Sequence, residues 1–176
     1  MIKKTLYVLI ILLLIVSHVS FFSMLSFPYN NLNLILALVI FLTVLIDYKK
    51  ALLLSMILGI FLEIYSPLFF GITVLTLLLT TIIINLLFIH LFTNRTFFSL
   101  LVLTFAGVAT YNILILLFSY ITFFFNNLLH HMVFNYKYVI NGLWQLVFTY
   151  LIVIVYFFLY TSFRKYILNI DGIKTA

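Results

Sequence analysis

The chain has 176 residues, of which 67% are hydrophobic and 7% are charged. Its mean hydropathy of +1.38 excludes a soluble domain, because too little polar surface is left to cover a folded shape. The net charge of +6 comes from charges at the ends of apolar segments, a distribution that indicates membrane orientation and no nucleic-acid partner. The absence of cysteine excludes disulfides and thiolate chemistry.

The apolar segments predict an all-α, polytopic membrane protein with the lipid bilayer as its surroundings. Unpaired backbone groups in lipid leave only helices or closed barrels, and these segments are apolar all round, unlike barrel strands. A bilayer core about 30 Å thick needs roughly 20 helical residues per crossing, which leaves room for about six crossings in a single transmembrane domain. The predicted helices are about 5–27, 30–46, 50–65, 68–92, 97–125 and 140–163.

Two parts of this division need comment. The first segment, which follows Lys3-Lys4, is predicted to be a retained helix, because no small-x-small cleavage pattern comes after it. The second and third segments are short for a full crossing at about 1.5 Å of rise per residue. For the second segment two explanations are open: it extends back to Tyr29, or it crosses where the bilayer is thinner.

When the six helices are threaded through the membrane in turn, nearly all the basic residues lie on one side of it. One side receives Lys3, Lys4, Lys49, Lys50, Arg95, Arg164, Lys165 and Lys174, and the other receives only Lys137. Lys and Arg concentrate in cytoplasmic loops, so both termini are predicted to lie in the cytoplasm. The turn between the third and fourth helices then lies on the outer face.

That turn is the most distinctive stretch of the chain. It runs from Gly59 to Gly71 and contains Glu63, the only acidic residue within an apolar segment. Ser66-Pro67 predicts a tight corner, because proline fixes φ and lacks a backbone donor. The preceding helix is expected to end near Tyr65.

Three interpretations of Glu63 are open. In the first, it is an interfacial residue that reaches headgroup water. A carboxylate at the bilayer centre would cost about 2.5 to 3.5 kcal/mol, which favours a position near the interface. Alternatively, it fixes the corner through hydrogen bonds or by an ion pair with Lys137 on the same face. In the third interpretation it contacts a partner or ligand directly.

Other polar residues do not indicate catalysis or a metal. His130 and His131 are adjacent and would point in different directions on a helix, and neither they nor His90 and His18 have a Cys, Asp or Glu to complete a metal site. One membrane carboxylate cannot supply both an acid and a base, so no catalytic residue and no cofactor is predicted. Side-chain amides within the helices are expected to bridge neighbouring helices: Asn85, Asn112, Asn141 and Gln145.

The order of these features resembles the rod shape-determining protein MreD family over essentially the whole chain. A Pro-Asn turn and a Leu-rich helix come first, and then a basic turn and the pattern G-x-x-x-[acid]-x-x-S-P-x-x-x-G. The matching residues are Pro28, Asn31, Leu32, Gly59, Glu63, Ser66, Pro67 and Gly71. The chain departs from the family in having Glu63 where Asp is usual and in placing Tyr29-Asn30 between the proline and the Asn-Leu pair.

The resemblance implies a noncatalytic subunit of the bacterial cell-elongation machinery in the cytoplasmic membrane. Such proteins bind MreC, and through it MreB, RodA and a class B penicillin-binding protein, to direct lateral peptidoglycan synthesis. We hypothesise that the outer corner, Glu63 to Gly71, contributes to the contact with MreC.

The alternative is a substrate-binding subunit of an energy-coupling-factor vitamin transporter, a family of similar size with six helices. Such a protein needs a polar pocket near the outer face. The residues that could line one here are Trp144, Asn141, Gln145, His130 and Glu63. A channel or a lipid-handling enzyme is disfavoured, because ionisable residues at depth are lacking.

Overall fold

The computed structural model describes residues 25–45, 47–66, 68–92, 94–126 and 136–170. This part of the chain is entirely helical apart from its turns and contains no strand, which confirms the all-α prediction for it. A short 3-10 helix (Tyr29–Asn31) precedes five α-helices. They are α1 (Leu34–Leu45), α2 (Tyr48–Tyr65), α3 (Ile72–Leu91), α4 (Phe97–Asn126) and α5 (Tyr136–Ile170). The first predicted segment, 5–27, lies almost wholly outside the described residues.

Three of the described helices are long and apolar enough to cross a membrane. The spans are Ile72–Leu91, Phe97–Thr122 within α4 and Tyr136–Ser162 within α5. Their length and composition make this a helical membrane protein. Six spans for the whole chain, with both termini in the cytoplasm, stay a prediction.

The bounds of α1 and α5 differ from the predicted ranges. The predicted helix 30–46 begins only at Leu34, because the Oδ1 atom of Asn33 accepts a hydrogen bond from the Leu36 N–H (3.0 Å) and caps the helix there. The predicted helix 140–163 instead runs from Tyr136 to Ile170. Helix α5 therefore begins before the predicted segment and ends after it, because the hydrogen bonds of a helix join backbone groups and polar side chains can form part of it. The other three helices differ from prediction by a few residues at their ends.

The short helix α1 lies at the centre of the bundle. Nine of its 12 residues are buried, and it packs against α2, α3, α4 and α5. A helix that is apolar on every side is expected where protein surrounds it. This α-helix does not extend back to Tyr29, because the extended backbone at Leu32 separates it from the 3-10 helix; a crossing where the bilayer is thinner stays a prediction.

The connections alternate between two ends of the bundle. The Nη1 atom of Arg95, before α4, donates to the carbonyl of Leu45 at the end of α1 (3.0 Å). The Phe97 ring contacts that of Phe157, with centroids 4.8 Å apart, so the later half of α5 lies at this end too. Lys49 and Lys50 begin α2 here, whereas Lys137 begins α5 at the other end. The described basic residues are therefore distributed between the ends as the sequence predicts.

Candidate functional site

Glu63 connects α2 to the beginning of α3. Its side chain is 4% exposed, and its Oε2 atom accepts a hydrogen bond from the backbone N–H of Val74 (3.0 Å). The N-cap residue of α3 is Gly71, which has no side chain to accept from the first N–H groups of the helix. Glu63 supplies this acceptor from the neighbouring helix, at the helix end that favours negative charge.

This geometry corresponds to the interpretation in which Glu63 fixes the corner through a hydrogen bond. It differs from the interfacial interpretation, because the side chain is buried. The predicted ion pair with Lys137 does not occur: Lys137 is exposed at the start of α5, and Glu63 lies between α2 and α3. Among the described residues, the ion pair that forms is Lys50–Asp47 (3.9 Å) at the start of α2.

Gly59 brings the backbones of α2 and α3 into contact one turn before Glu63. A Cβ atom at Gly59 would lie 2.9 Å from the Cα atom of Val74, the same residue whose N–H is bound by Glu63. Small residues permit such close approaches between membrane helices. Val74 therefore receives both the close contact and the hydrogen bond that join the two helices.

Ser66 and Gly71 shape the connection itself. Helix α2 ends at Tyr65, as predicted, and the Ser66 N–H donates to the Glu63 carbonyl (3.2 Å). The Ser66 hydroxyl accepts a hydrogen bond from the Leu68 N–H (3.2 Å), and Gly71 adopts a left-handed φ of 99°. Tyr65 is 65% exposed, and Pro67 lies outside the described residues. We call Gly59, Glu63, Ser66, Gly71 and Val74 the α2–α3 corner.

The left-handed backbone at Gly71 gives the first prediction. Gly71→Ala is expected to destabilise the protein by about 1–2 kcal/mol, because a Cβ is unfavourable at this φ. No other atom lies within 4 Å of the added carbon, so the cost is one of backbone conformation alone. Gly71→Asn should cost less, since asparagine tolerates the left-handed region. Reversible unfolding in mixed micelles measures both, and equal losses for Ala and Asn would contradict the explanation.

The second predicted turn is also bonded internally. The backbone N–H and the side-chain Nδ2 of Asn31 each donate to the Pro28 carbonyl (3.2 Å in both cases). The turn leads directly to Asn33, the cap of α1. Pro28 and Asn31 therefore fix how the chain enters the central helix.

A polar cavity of about 280 Å³ lies beside this turn. We call it the amide pocket, because side-chain amides dominate its lining. Its residues come from the chain before α1, from the middle of α4 and from the first turns of α5: Asn30, Asn31, Leu32, Asn33, Tyr111, Asn112, Ile115, Tyr138, Asn141, Gly142 and Gln145. No charged side chain is present among these residues.

Hydrogen bonds across the amide pocket join α4 to α5. The Nδ2 atom of Asn112 donates to Oε1 of Gln145 (3.0 Å) and to the Val108 carbonyl (2.9 Å). The Tyr138 hydroxyl donates to the Asn112 carbonyl (3.0 Å). Asn112 and Gln145 thus bridge two helices, as the sequence predicts for amides within the helices.

One amide in the pocket has no such role. The Oδ1 atom of Asn141 is buried and has no hydrogen-bond partner in the described part of the chain. Buried polar atoms are nearly always paired, and an unpaired one calls for an explanation. The Oδ1 atom of Asn141 therefore makes no bridge between helices, contrary to the prediction, and it has unused acceptor capacity in the wall of the pocket.

The pocket matches the sequence prediction only in part. Asn141 and Gln145 line it, whereas Glu63 does not, and Trp144 is instead stacked on Phe148 with ring centroids 5.8 Å apart. His130 lies outside the described residues. The residues that were missed include Asn30, Asn33, Tyr111 and Tyr138. The signal available for them was the Asn-rich run before α1 and the polar Tyr-Asn pair in the middle of an apolar helix.

Comparison with known proteins gives no match: no family model, curated protein or solved structure is similar to this chain. The described residues contain no group of three His, Asp or Glu side chains that could hold a metal ion. His90 is exposed near the end of α3, and the other three histidines lie outside the described residues.

Proposed function

We propose that this chain is a noncatalytic, MreD-like membrane subunit of the bacterial cell-elongation complex, which supports cell shape and lateral peptidoglycan synthesis by binding MreC. The observation that carries the proposal is the α2–α3 corner. Four described positions of the motif, Gly59, Glu63, Ser66 and Gly71, each have a structural role in this one connection. These shared roles in one connection support reading the four residues as a single motif.

Exposed side chains that a partner could contact lie beside the residues of the α2–α3 corner. Ile64 and Tyr65 are each 65% exposed at the end of α2, and Phe70 is 85% exposed just before α3. Aromatic residues are enriched where proteins bind one another. We propose that this surface, on the outer side of the bacterial cytoplasmic membrane, binds MreC, which in turn connects to MreB, RodA and a class B penicillin-binding protein.

Site-specific crosslinking tests the proposal. A photoactivatable residue replaces Phe70 at the corner or, as a matched control, Leu91, which is 63% exposed at the opposite end of α3. With MreC co-expressed, position 70 should crosslink to MreC and position 91 should not. The proposed function would be contradicted by crosslinks to MreC from neither position, and the proposed contact surface by crosslinks from position 91 alone.

The amide pocket favours a second candidate, a substrate-binding subunit of an energy-coupling-factor vitamin transporter. Such a subunit must hold a polar solute, and the pocket offers neutral hydrogen-bonding groups within an apolar bundle. Gene neighbourhood separates the two candidates. Adjacency to genes for MreB and MreC supports the elongation subunit, whereas adjacency to a pair of ATPase genes supports the transporter.

A further inference from the structure

We propose that the amide pocket binds an uncharged polyhydroxyl group of about the size of one sugar ring. Either a membrane glycolipid or a free sugar could present this group. The inference goes beyond the scaffold role proposed above and does not depend on it, because the pocket and the α2–α3 corner share no residue.

The charge of the ligand follows from the lining. Among the described residues that line the pocket, the polar side chains are asparagine, glutamine and tyrosine, all neutral, and none is Asp, Glu, Lys, Arg or His. A charged group that entered would lose its hydration without gaining an opposite charge, which is strongly unfavourable. A neutral group with many hydrogen-bonding atoms meets no such penalty.

The unused hydrogen-bonding capacity indicates hydroxyl groups. The Oδ1 atom of Asn141 is a buried acceptor without a partner, and four residues later Gln145 has its Oε1 occupied by Asn112. Within the described part of the chain the Nε2 of Gln145 has no bonded acceptor, so it offers donors. Residues four apart lie on the same face of a helix, which places this acceptor and these donors side by side on α5. A sugar hydroxyl both donates and accepts, and neighbouring hydroxyls can satisfy both groups.

The size of the cavity limits the ligand. The volume of the pocket is about 280 Å³. Pockets for complete small molecules begin at about 300 Å³. The pocket is therefore large enough for a single ring, and Asn30 in its lining is exposed.

Binding can be measured on the full chain in lipid nanodiscs. The discs contain phosphatidylcholine with equal small fractions of monoglucosyldiacylglycerol and phosphatidylglycerol, and native mass spectrometry counts the lipids that stay bound. Free glucose is titrated separately by calorimetry against discs without glycolipid. Preference for the glucosyl lipid over the anionic lipid assigns the site to a headgroup. Saturable glucose binding without that preference assigns it to a free sugar.

Three variants locate the binding. Asn141→Leu should weaken it about three- to tenfold, the range expected for one neutral hydrogen bond. Gly142→Leu should abolish it by filling the pocket, since a Cβ there has no atom closer than Asn112 at 4.0 Å. Asn85→Leu on α3 is the matched control, outside the pocket, and should bind as the wild type does.

Two results would overturn the proposal. One is that neither probe binds preferentially, which would leave the pocket filled by water alone. The other is that Asn141→Leu binds as tightly as the wild type. Unfolding midpoints confirm that each variant folds. Asn141→Leu preserves side-chain size, so it decides the matter even if Gly142→Leu does not fold. Loss of the MreC crosslink would not affect either result.

Discussion

Glu63→Ala is expected to reduce the free energy of unfolding by about 2–4 kcal/mol. The substitution removes the acceptor for the Val74 N–H, and an unsatisfied buried donor costs about 1–3 kcal/mol. It also leaves a void between α2 and α3, because Glu63 is almost fully buried. Glu63→Gln should cost about 1 kcal/mol or less, since the amide oxygen can still accept the same hydrogen bond.

Steric trapping or reversible denaturation in mixed micelles measures these differences. Ser55→Ala is the control within α2: Ser55 is also buried, but its hydroxyl donates to the Leu52 carbonyl of its own helix (2.8 Å). The loss of this local bond should cost under about 1 kcal/mol, because no helix connection depends on it. Equal losses for Gln and Ala at position 63, or no loss for either, would show that the bond to Val74 does not hold the corner.

Gly59→Ala is expected to destabilise the protein by about 1–3 kcal/mol, the range for overpacking a close contact. The added Cβ would lie 2.9 Å from a backbone atom of Val74, so α2 and α3 must separate to make room. The same shift lengthens the hydrogen bond from Glu63 to the Val74 N–H. The two substitutions should therefore be coupled, with the double variant losing less than the sum of the single losses.

Two other helical glycines provide matched controls for Gly59→Ala. At Gly107 the three nearest atoms to a Cβ are all side-chain atoms, the Cδ1 atoms of Ile40 and Ile84 at 2.9 Å and the Cγ1 atom of Ile40 at 3.1 Å, and side chains can adjust more easily than a backbone. At Gly142 the nearest atom is 4.0 Å away, so Gly142→Ala should stabilise by about 0.5–1 kcal/mol through helix propensity. The expected order, from the most to the least stable variant, is Gly142→Ala, Gly107→Ala and Gly59→Ala. A different order would contradict the close approach of α2 and α3.

The sequence predicts the structure best where residues that interrupt helices determine it. Ser66-Pro67 predicted the corner, and α2 ends at Tyr65 as expected. The partner of Glu63 could not be identified this way. The positions of the charged residues in the sequence suggest Lys137 as the partner. The group that binds Glu63 is instead a backbone N–H, which every residue except proline carries.

The central position of α1 and the composition of the amide pocket needed the structure. Hydropathy does not distinguish a helix buried in protein from one buried in lipid, so the short segment 30–46 was ambiguous. The spacing of Asn141 and Gln145 was visible in the sequence. Tyr111 and Asn33 line the pocket as well because of how α4 and α1 are oriented relative to α5. No local sequence pattern predicts that orientation.

We propose that the α2–α3 corner faces outward, opposite the ends that carry most of the basic residues. Because the chain has no cysteine, single cysteines can be labelled without background. In intact cells a membrane-impermeant maleimide should label Phe70→Cys at the corner, and it should label Lys49→Cys only after the membrane is permeabilised. Both positions are exposed, Lys49 in the first turn of α2 and Phe70 in the connection between α2 and α3. Labelling of Lys49→Cys but not Phe70→Cys in intact cells, or of both from the same side, would contradict the account.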